Sequence, residues 1–287
     1  MTQINKQKGN TLVGLLVVVA ALFILPWNRI DWGRMSFGQD RVVTVVGEAR
    51  SQEKNEVVSF SAGVSAVNDE KDKDRYIILA TRNGLVKKTA LKLYQNIRQT
   101  GIIAVTLNDN DELVWGRLTS GKDDLMLVTH QGKSIRFSEK EVKSSNRDTK
   151  GVKGITLRRD DYVIGVETIE VDEKGNSTSQ GELLVITQNG LGKRTQLDQY
   201  PVQKRSGLGV KVAEINQKTG PVAAARMVDD EHKSVVITTK SGQTIKLPLS
   251  KKSIPTLTRP TQGVILMRLK SSDRVVAVAL TFKKMEE

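Results

Sequence analysis

YIILATRNGLVKKT, residues 76–89, is the stretch whose reading decides the fold. A near-continuous apolar run leads to Thr81, the chain turns at Asn83-Gly84, and a second run leaves carrying Lys87 and Lys88. Asn-Gly between apolar runs predicts a hairpin, because Gly tolerates the positive φ that a tight turn demands. A strand apolar at nearly every position predicts burial on both faces, which stacked sheets provide.

Three later stretches repeat the pattern: LMLVTHQGKSIRF from Leu125, LLVITQNGLGKRT from Leu183 and SVVITTKSGQTIKL from Ser234. Each has an apolar strand, a Thr (Thr81, Thr129, Thr187, Thr239), a Gly three positions on (Gly84, Gly132, Gly190, Gly242), and a basic residue after another four (Lys88, Arg136, Arg194, Lys246). A fixed period of this size signals stacked units rather than one folded sheet. Each unit closes with a further apolar strand, beginning at Glu112, Tyr162, Pro221 and Arg274. The expected blades run over about 74–120, 121–180, 181–230 and 231–287, and the stretch EVDEKGNSTSQG at 170–181 reads as a flexible loop between two of them.

Between hairpin and closing strand an Arg precedes a Gly by three or four positions: Arg98 and Gly101, Arg147 and Gly151, Arg205 and Gly209, Arg259 and Gly263. Lys150, Lys153, Lys193, Lys204 and Lys211 add to the same strip. Arg offers a planar fork of donors to phosphate oxygens, and Gly is expected to keep the loop low so that a phosphate backbone can approach. Four such loops at equivalent positions predict a basic track along one edge, in preference to an edge kept charged only to prevent aggregation. The hairpin bases Lys88, Arg136, Arg194 and Lys246 are expected beside it, unless their stems pack over the apolar strands.

The charge sits where this reading needs it. Residues 1–73 hold 9 Lys/Arg and 8 Asp/Glu of the chain's 45 and 32, which leaves 36 against 24 in residues 74–287. A polyanion is the natural partner for such an excess, because phosphate neutralisation with counterion release drives nucleic-acid binding. Cysteine is absent, which excludes disulfides, thiolate metal sites and a cysteine nucleophile. His130 and His232 lack neighbouring ligand-type residues at metal spacing, so no metal or other cofactor is expected. Gly132-Lys133-Ser134 lacks the first glycine of a phosphate loop, and Gly207-Leu208-Gly209 lacks the third glycine of a dinucleotide fingerprint. Asp123-Asp124 and Asp160-Asp161 read as turn formers rather than an acid–base pair.

Ahead of the repeat the sequence changes character. Residues 1–10 form a basic tail, and Thr11 to Trp27 is an uncharged apolar stretch long enough to span a bilayer as a retained signal-anchor. Residues 28–73 contain two expected strands, VVTVVGEA and VVSFSAGVSAV, followed by the charged boundary NDEKDKDR.

The four units closely resemble the C-terminal repeats of DNA gyrase A, through YIILATRNGLVKKTAL, NRDTKGVKGITL and GLGKRT. The resemblance implies an all-β fold, a partial β-pinwheel of four blades that exchange strands with their neighbours. It also implies a basic rim that binds and wraps duplex DNA in the cytoplasm, in support of a separate topoisomerase catalytic body. The units resemble the last four of the family's six blades. The family's first-blade box of Gln, Arg and Gly is absent, and Gln203 to Gly209 is similar to a relaxed version of it. Arg75-Tyr76 resembles the strand-cleaving Arg-Tyr pair but opens an apolar strand, so the chain is not expected to be an enzyme on its own. Residues 1–73 resemble the membrane-anchored start of SIMPL-domain proteins, which implies a membrane contact through 11–27 and a fusion seam near Lys71 to Asp74. The competing expectation is a membrane-anchored envelope protein of SIMPL type whose β repeats bind no DNA.

Overall fold

The computed structural model describes residues 74–94, 103–172, 174–178, 181–270 and 272–282, together with the strand backbone of 43–50 and 57–64. The strands begin with β1 (Val43–Arg50), β2 (Val57–Val64), β3 (Tyr76–Thr81), β4 (Leu85–Ala90) and β5 (Leu113–Thr119). They continue with β6 (Asp124–Thr129), β7 (Lys133–Ser138), β8 (Val152–Lys153), β9 (Val163–Ile169), β10 (Glu182–Thr187), β11 (Leu191–Gln196) and β12 (Val210–Lys211). The last five are β13 (Val222–Val228), β14 (His232–Thr239), β15 (Thr244–Pro248), β16 (Val264–Ile265) and β17 (Val275–Phe282). Among the described residues the only helical pieces are short 3₁₀ turns after the first three hairpins.

The strands form four antiparallel blades in the orders β5-β3-β4-β8, β9-β6-β7-β12, β13-β10-β11-β16 and β17-β14-β15. The outermost strand of each of the first three blades is contributed by the next unit along the chain. Each hairpin follows the expected chemistry. The Thr carbonyl accepts from the Gly N–H at 3.0–3.1 Å in all four, and the four glycines have φ between +76° and +86°. This is a type I turn followed by a left-handed residue, which only glycine adopts without strain. In the first three the Thr hydroxyl also accepts from the next strand's first N–H, at 3.1–3.3 Å. The repeated Thr therefore ties the turn, and the closing strand shifts register at that same residue in every blade.

Blade faces pack on one another to make the core. One cluster joins blades one and two through Ile78, Leu125, Leu127, Ile135 and Phe137, another joins blades two and three through Met126, Leu183, Val185 and Tyr200, and a third joins blades three and four through Leu184, Ile186, Val235 and Ile254. Strands β3, β6 and β10 are buried on both faces, as their unbroken apolar runs predict. Within the 170–181 insertion the described residues make a local turn. Val171 bridges Ser177, and the Asp172 carboxylate accepts from the N–H groups of Lys174 and Asn176 at 2.9 and 2.8 Å.

Strands β1 and β2 pair antiparallel, from Val43 opposite Val64 to Arg50 opposite Val57, as the two expected strands require. The apolar segment 11–27 and all but Asp74 of the seam expected near Lys71 to Asp74 lie outside the described residues. Among the described residues no helix is long and apolar enough to cross a membrane.

Candidate nucleic-acid interface

The Arg–Gly loops become the outer edge of the blades because they carry the exchanged strands. After the hairpin of unit two the chain runs outward, pairs with the first blade through β8, and returns inward as β9; units three and four do the same through β12 and β16. The Gly that opens each exchanged strand lies against the neighbouring blade. A Cβ added at Gly209, where φ is +68°, would overlap the Ser134 carbonyl oxygen, and one at Gly263 would meet that of Gly192 at 2.6 Å. These glycines admit the neighbouring blade's backbone.

The rim arginines form a relay. Arg205 Nη1 donates to the Lys153 carbonyl at 3.0 Å, and Arg259 Nη1 donates to the Lys211 carbonyl at 2.9 Å. Arg147 Nη1 reaches the Ile103 carbonyl at 3.4 Å, and Ile103, Lys153 and Lys211 occupy one repeat position, two residues past the loop Gly. Each rim Arg thus clips its loop to the preceding one. All three are half-buried, and the fork keeps further N–H groups for an outside acceptor. Arg98 lies outside the described residues.

Three of the four hairpin bases are interior. Lys88, Arg136 and Arg194 are buried. Lys88 donates to the Glu139 carbonyl at 3.0 Å and lies 3.6 Å from its carboxylate; Arg136 bonds the Asp124 carboxylate at 2.9 Å and Arg194 that of Glu182 at 2.8 Å. A cation taken out of water requires such a partner. Burial raises the Glu139 pKa, with hydrogen bonds from Thr119 and Asp123 and the Lys88 charge opposing the rise. Lys246 alone among the hairpin bases is exposed.

Lys193, expected on the strip, is also interior, with its ammonium donating to the carbonyls of Thr258 and Arg259 at 2.6 and 2.5 Å and to the Thr261 hydroxyl at 3.1 Å. Lys87 holds the equivalent place two joints earlier, bonded to the carbonyls of Ala104 and Arg147. Burial pushes both ammonium groups down to about 8. The side chains that do face solvent along the edge are Lys150, Lys153, Lys204 and Lys211, the last paired with Glu214 at 3.0 Å. Lys140, Lys143, Lys251 and Lys252 are exposed in the turns leading into the loops. An alignment keyed on Arg and Gly passes over them because they have no counterpart in every unit.

His130 Nδ1 lies 3.1 Å from the Val222 carbonyl with its ring stacked on Tyr162, and His232 pairs with Asp229 at 2.6 Å. Asp161 accepts from the Gln131 and Tyr162 N–H groups and Asp123 from Ser120, as turn formers do, whereas Asp124 is the ion partner of Arg136. Among the described residues no cluster of His, Asp and Glu suits a metal ion. On the inner side, Glu167 sits between Arg117 at 3.4 Å and Arg226 at 4.0 Å, with the Arg226 guanidinium 4.2 Å from the centre of the Trp115 ring. This links three blades at the hub.

Strand-exchanging blades of this kind define a propeller-type all-β domain. The family model described as DNA gyrase C-terminal domain, beta-propeller, matches residues 75–120, 123–170, 181–229 and 233–281, and the chain belongs to that family. The DNA gyrase A protein of Dehalogenimonas lykanthroporepellens is 37% identical over 230 residues, covering 79% of this chain and 27% of the relative. That of Staphylococcus aureus is 36% identical over 241 residues, covering 84% of this chain and 26% of the relative. The chain thus spans about a quarter of the length of these relatives. The fold is similar to the solved C-terminal domain of DNA topoisomerase IV, with TM-score 0.69 at 24% identity over 81% of this chain and 68% of that one. It is also similar to the DNA gyrase A C-terminal domain, with TM-score 0.65 at 19% identity over 84% of this chain and 82% of that one.

Proposed function

We propose that the chain binds duplex DNA along the outer edge of its blades, without reading sequence, and bends it around that edge. The observation that carries this reading is the repeated exchange joint, at whose loops Lys150, Lys153, Lys204 and Lys211 are exposed and Arg147, Arg205 and Arg259 are half-buried. Phosphate contacts of this kind fix position on the duplex and carry no base information. Lys88, Arg136, Lys193 and Arg194 are left out of the contact set because their charges are spent internally. Kinship with DNA gyrase A supports a role in DNA wrapping for a type II topoisomerase in the cytoplasm, whose cleaving and ATP-hydrolysing parts would lie outside residues 74–287.

Salt dependence tests the reading. With six to ten phosphates engaged, affinity for a duplex falls about 10³- to 10⁵-fold between 50 and 200 mM salt. A flat response would overturn it and favour the envelope-protein alternative implied by residues 1–73. The exposed pair Lys204→Ala/Lys211→Ala should lower the salt slope by about two and weaken all sequences alike. Arg205→Ala should weaken binding too, with a loss of stability as well because it cuts the link to Lys153.

A further inference from the structure

The junction of blades one and two is polar at a place where the next two junctions are apolar. Three residues past the repeated basic position stand Leu91, Glu139, Leu197 and Leu249. The closing strand ends with Thr119 in β5, opposite Tyr76, with Ile169 in β9, opposite Asp124, and with Val228 in β13, opposite Glu182. Ile169 and Leu197 belong to one core cluster, and Val228 and Leu249 to another. Between blades one and two the same two places bring Thr119 against Glu139, and both side chains are buried.

This contact has one hydrogen too few. A Thr hydroxyl carries a single hydrogen, yet the Thr119 oxygen lies 2.8 Å from Asp123 Oδ2 and also bonds Glu139 Oε1. Two carboxylates cannot both receive it. Asp123 is the better anion, because its oxygens also accept from the Ser120 N–H at 3.0 Å and the Ser120 hydroxyl at 2.7 Å. Glu139 Oε1 accepts from the Asp123 N–H at 2.8 Å, and Oε2 makes no hydrogen bond. A carboxylate with so few donors in a buried slot favours its neutral form. The charged groups that face it are Lys88 from β4, 3.6 Å from Oε2, and Asp123 from the link between β5 and β6. The Lys88 ammonium lies 5.3 Å from the centre of the Tyr76 ring, and the nearby Arg136 and Asp124 pair with each other. One cation thus meets two acids, and one retained proton balances them.

We propose that Glu139 is a neutral acid at neutral pH, donating to Thr119, which donates to Asp123, and that loss of this proton to water loosens the junction of blades one and two. The loosening reaches the exchange loop because Glu139 begins the turn that leads into it. The Glu139 carbonyl accepts from the Val142 N–H at 2.9 Å and from the Lys88 ammonium at 3.0 Å, and the Lys88 carbonyl accepts from the Ser145 N–H at 2.9 Å. Arg147, Lys150 and Lys153 follow in that loop. Burial holds the Glu139 carboxyl above its ordinary value. A group raised on folding contributes stability that is complete below the ordinary value and is lost as pH rises through the folded one.

Glu139→Gln tests the proton, since an amide has the shape and the donor of the neutral acid but does not titrate. Full-length wild-type and Glu139→Gln chains should share nearly the same Tm at about pH 5, with the wild type falling behind as pH rises to about 9. In native-state hydrogen exchange, protection of the Val142 and Ser145 amides should fall with pH in the wild type, by up to about tenfold per pH unit for one proton, and stay level in Glu139→Gln. Thr119→Val/Glu139→Leu installs an apolar pair like those of the next two junctions and should also stay level, which keeps the test decisive if the amide variant does not fold. A wild type that gains on these variants as pH rises would overturn the proposal, because Glu139 would then be the anion of Lys88. So would a stability difference that does not change with pH, or protection that falls equally in all the chains.

Discussion

The joint between blades two and three and the joint between blades three and four hold the same loop by different means. In the latter, Lys193 reaches under the loop and donates to two of its carbonyls and a hydroxyl. In the former the matching residue is Ile135, which is buried beneath Gly207, while Ser206 adopts a φ of +71° and donates its hydroxyl to the Lys153 carbonyl at 2.8 Å. Joint one-two follows the lysine pattern through Lys87. Loop carbonyls turned inward need donors, and the chain supplies them either with a buried ammonium or from the neighbouring unit's Thr156, whose N–H and hydroxyl donate to the Gly207 and Ser206 carbonyls at 2.9 and 2.7 Å. The exposed charge on the outside is therefore independent of the buried charge beneath it, although both are written as basic residues.

The largest expected effect breaks the tight joint. Gly209→Ala forces a left-handed alanine whose Cβ overlaps the Ser134 carbonyl, and should cost at least about 3 kcal/mol in urea unfolding. Gly151→Ala in the first joint has no positive φ to strain and a 2.9 Å approach to Val86, so it should cost visibly less. Equal losses would mean that the two joints are not built differently. Next comes Lys193→Met, which leaves the Thr258 and Arg259 carbonyls without their donor and should destabilise by about 2–3 kcal/mol.

A pH comparison sharpens the same contrast. The Lys193 pKa in the folded chain, about 8, lies below the ordinary 10.5, so folding disfavours its charged form. That group's favourable term is fully present above the ordinary value and is lost as pH falls through about 8. The wild-type chain should therefore gain stability relative to Lys193→Met between pH 8 and 10.5, since the neutral amine still donates to the loop. A difference that does not change over that window would remove burial as the cause. The smallest effect is Ile135→Val, about 0.5–1.5 kcal/mol with no pH dependence, because the joint it supports is apolar.

Repeat number, hairpin positions and strand identity were legible in the residues from Tyr76 onward, since Thr, Gly and unbroken apolar runs act locally: a turn needs a positive φ and a doubly covered strand needs no polar face. The exposed Lys150, Lys153, Lys204 and Lys211 were legible too. Strand exchange was implied by family resemblance rather than by spacing, because a two-residue strand such as β8 has no periodicity to detect. What only the tertiary structure decided was the direction each basic residue faces. Lys193 and Lys204 are alike as letters, yet one lies under a loop whose carbonyls surround its ammonium and the other stands in solvent. The choice depends on which backbone oxygens the neighbouring blade brings within 3 Å, and those oxygens belong to residues about 65 positions away along the chain.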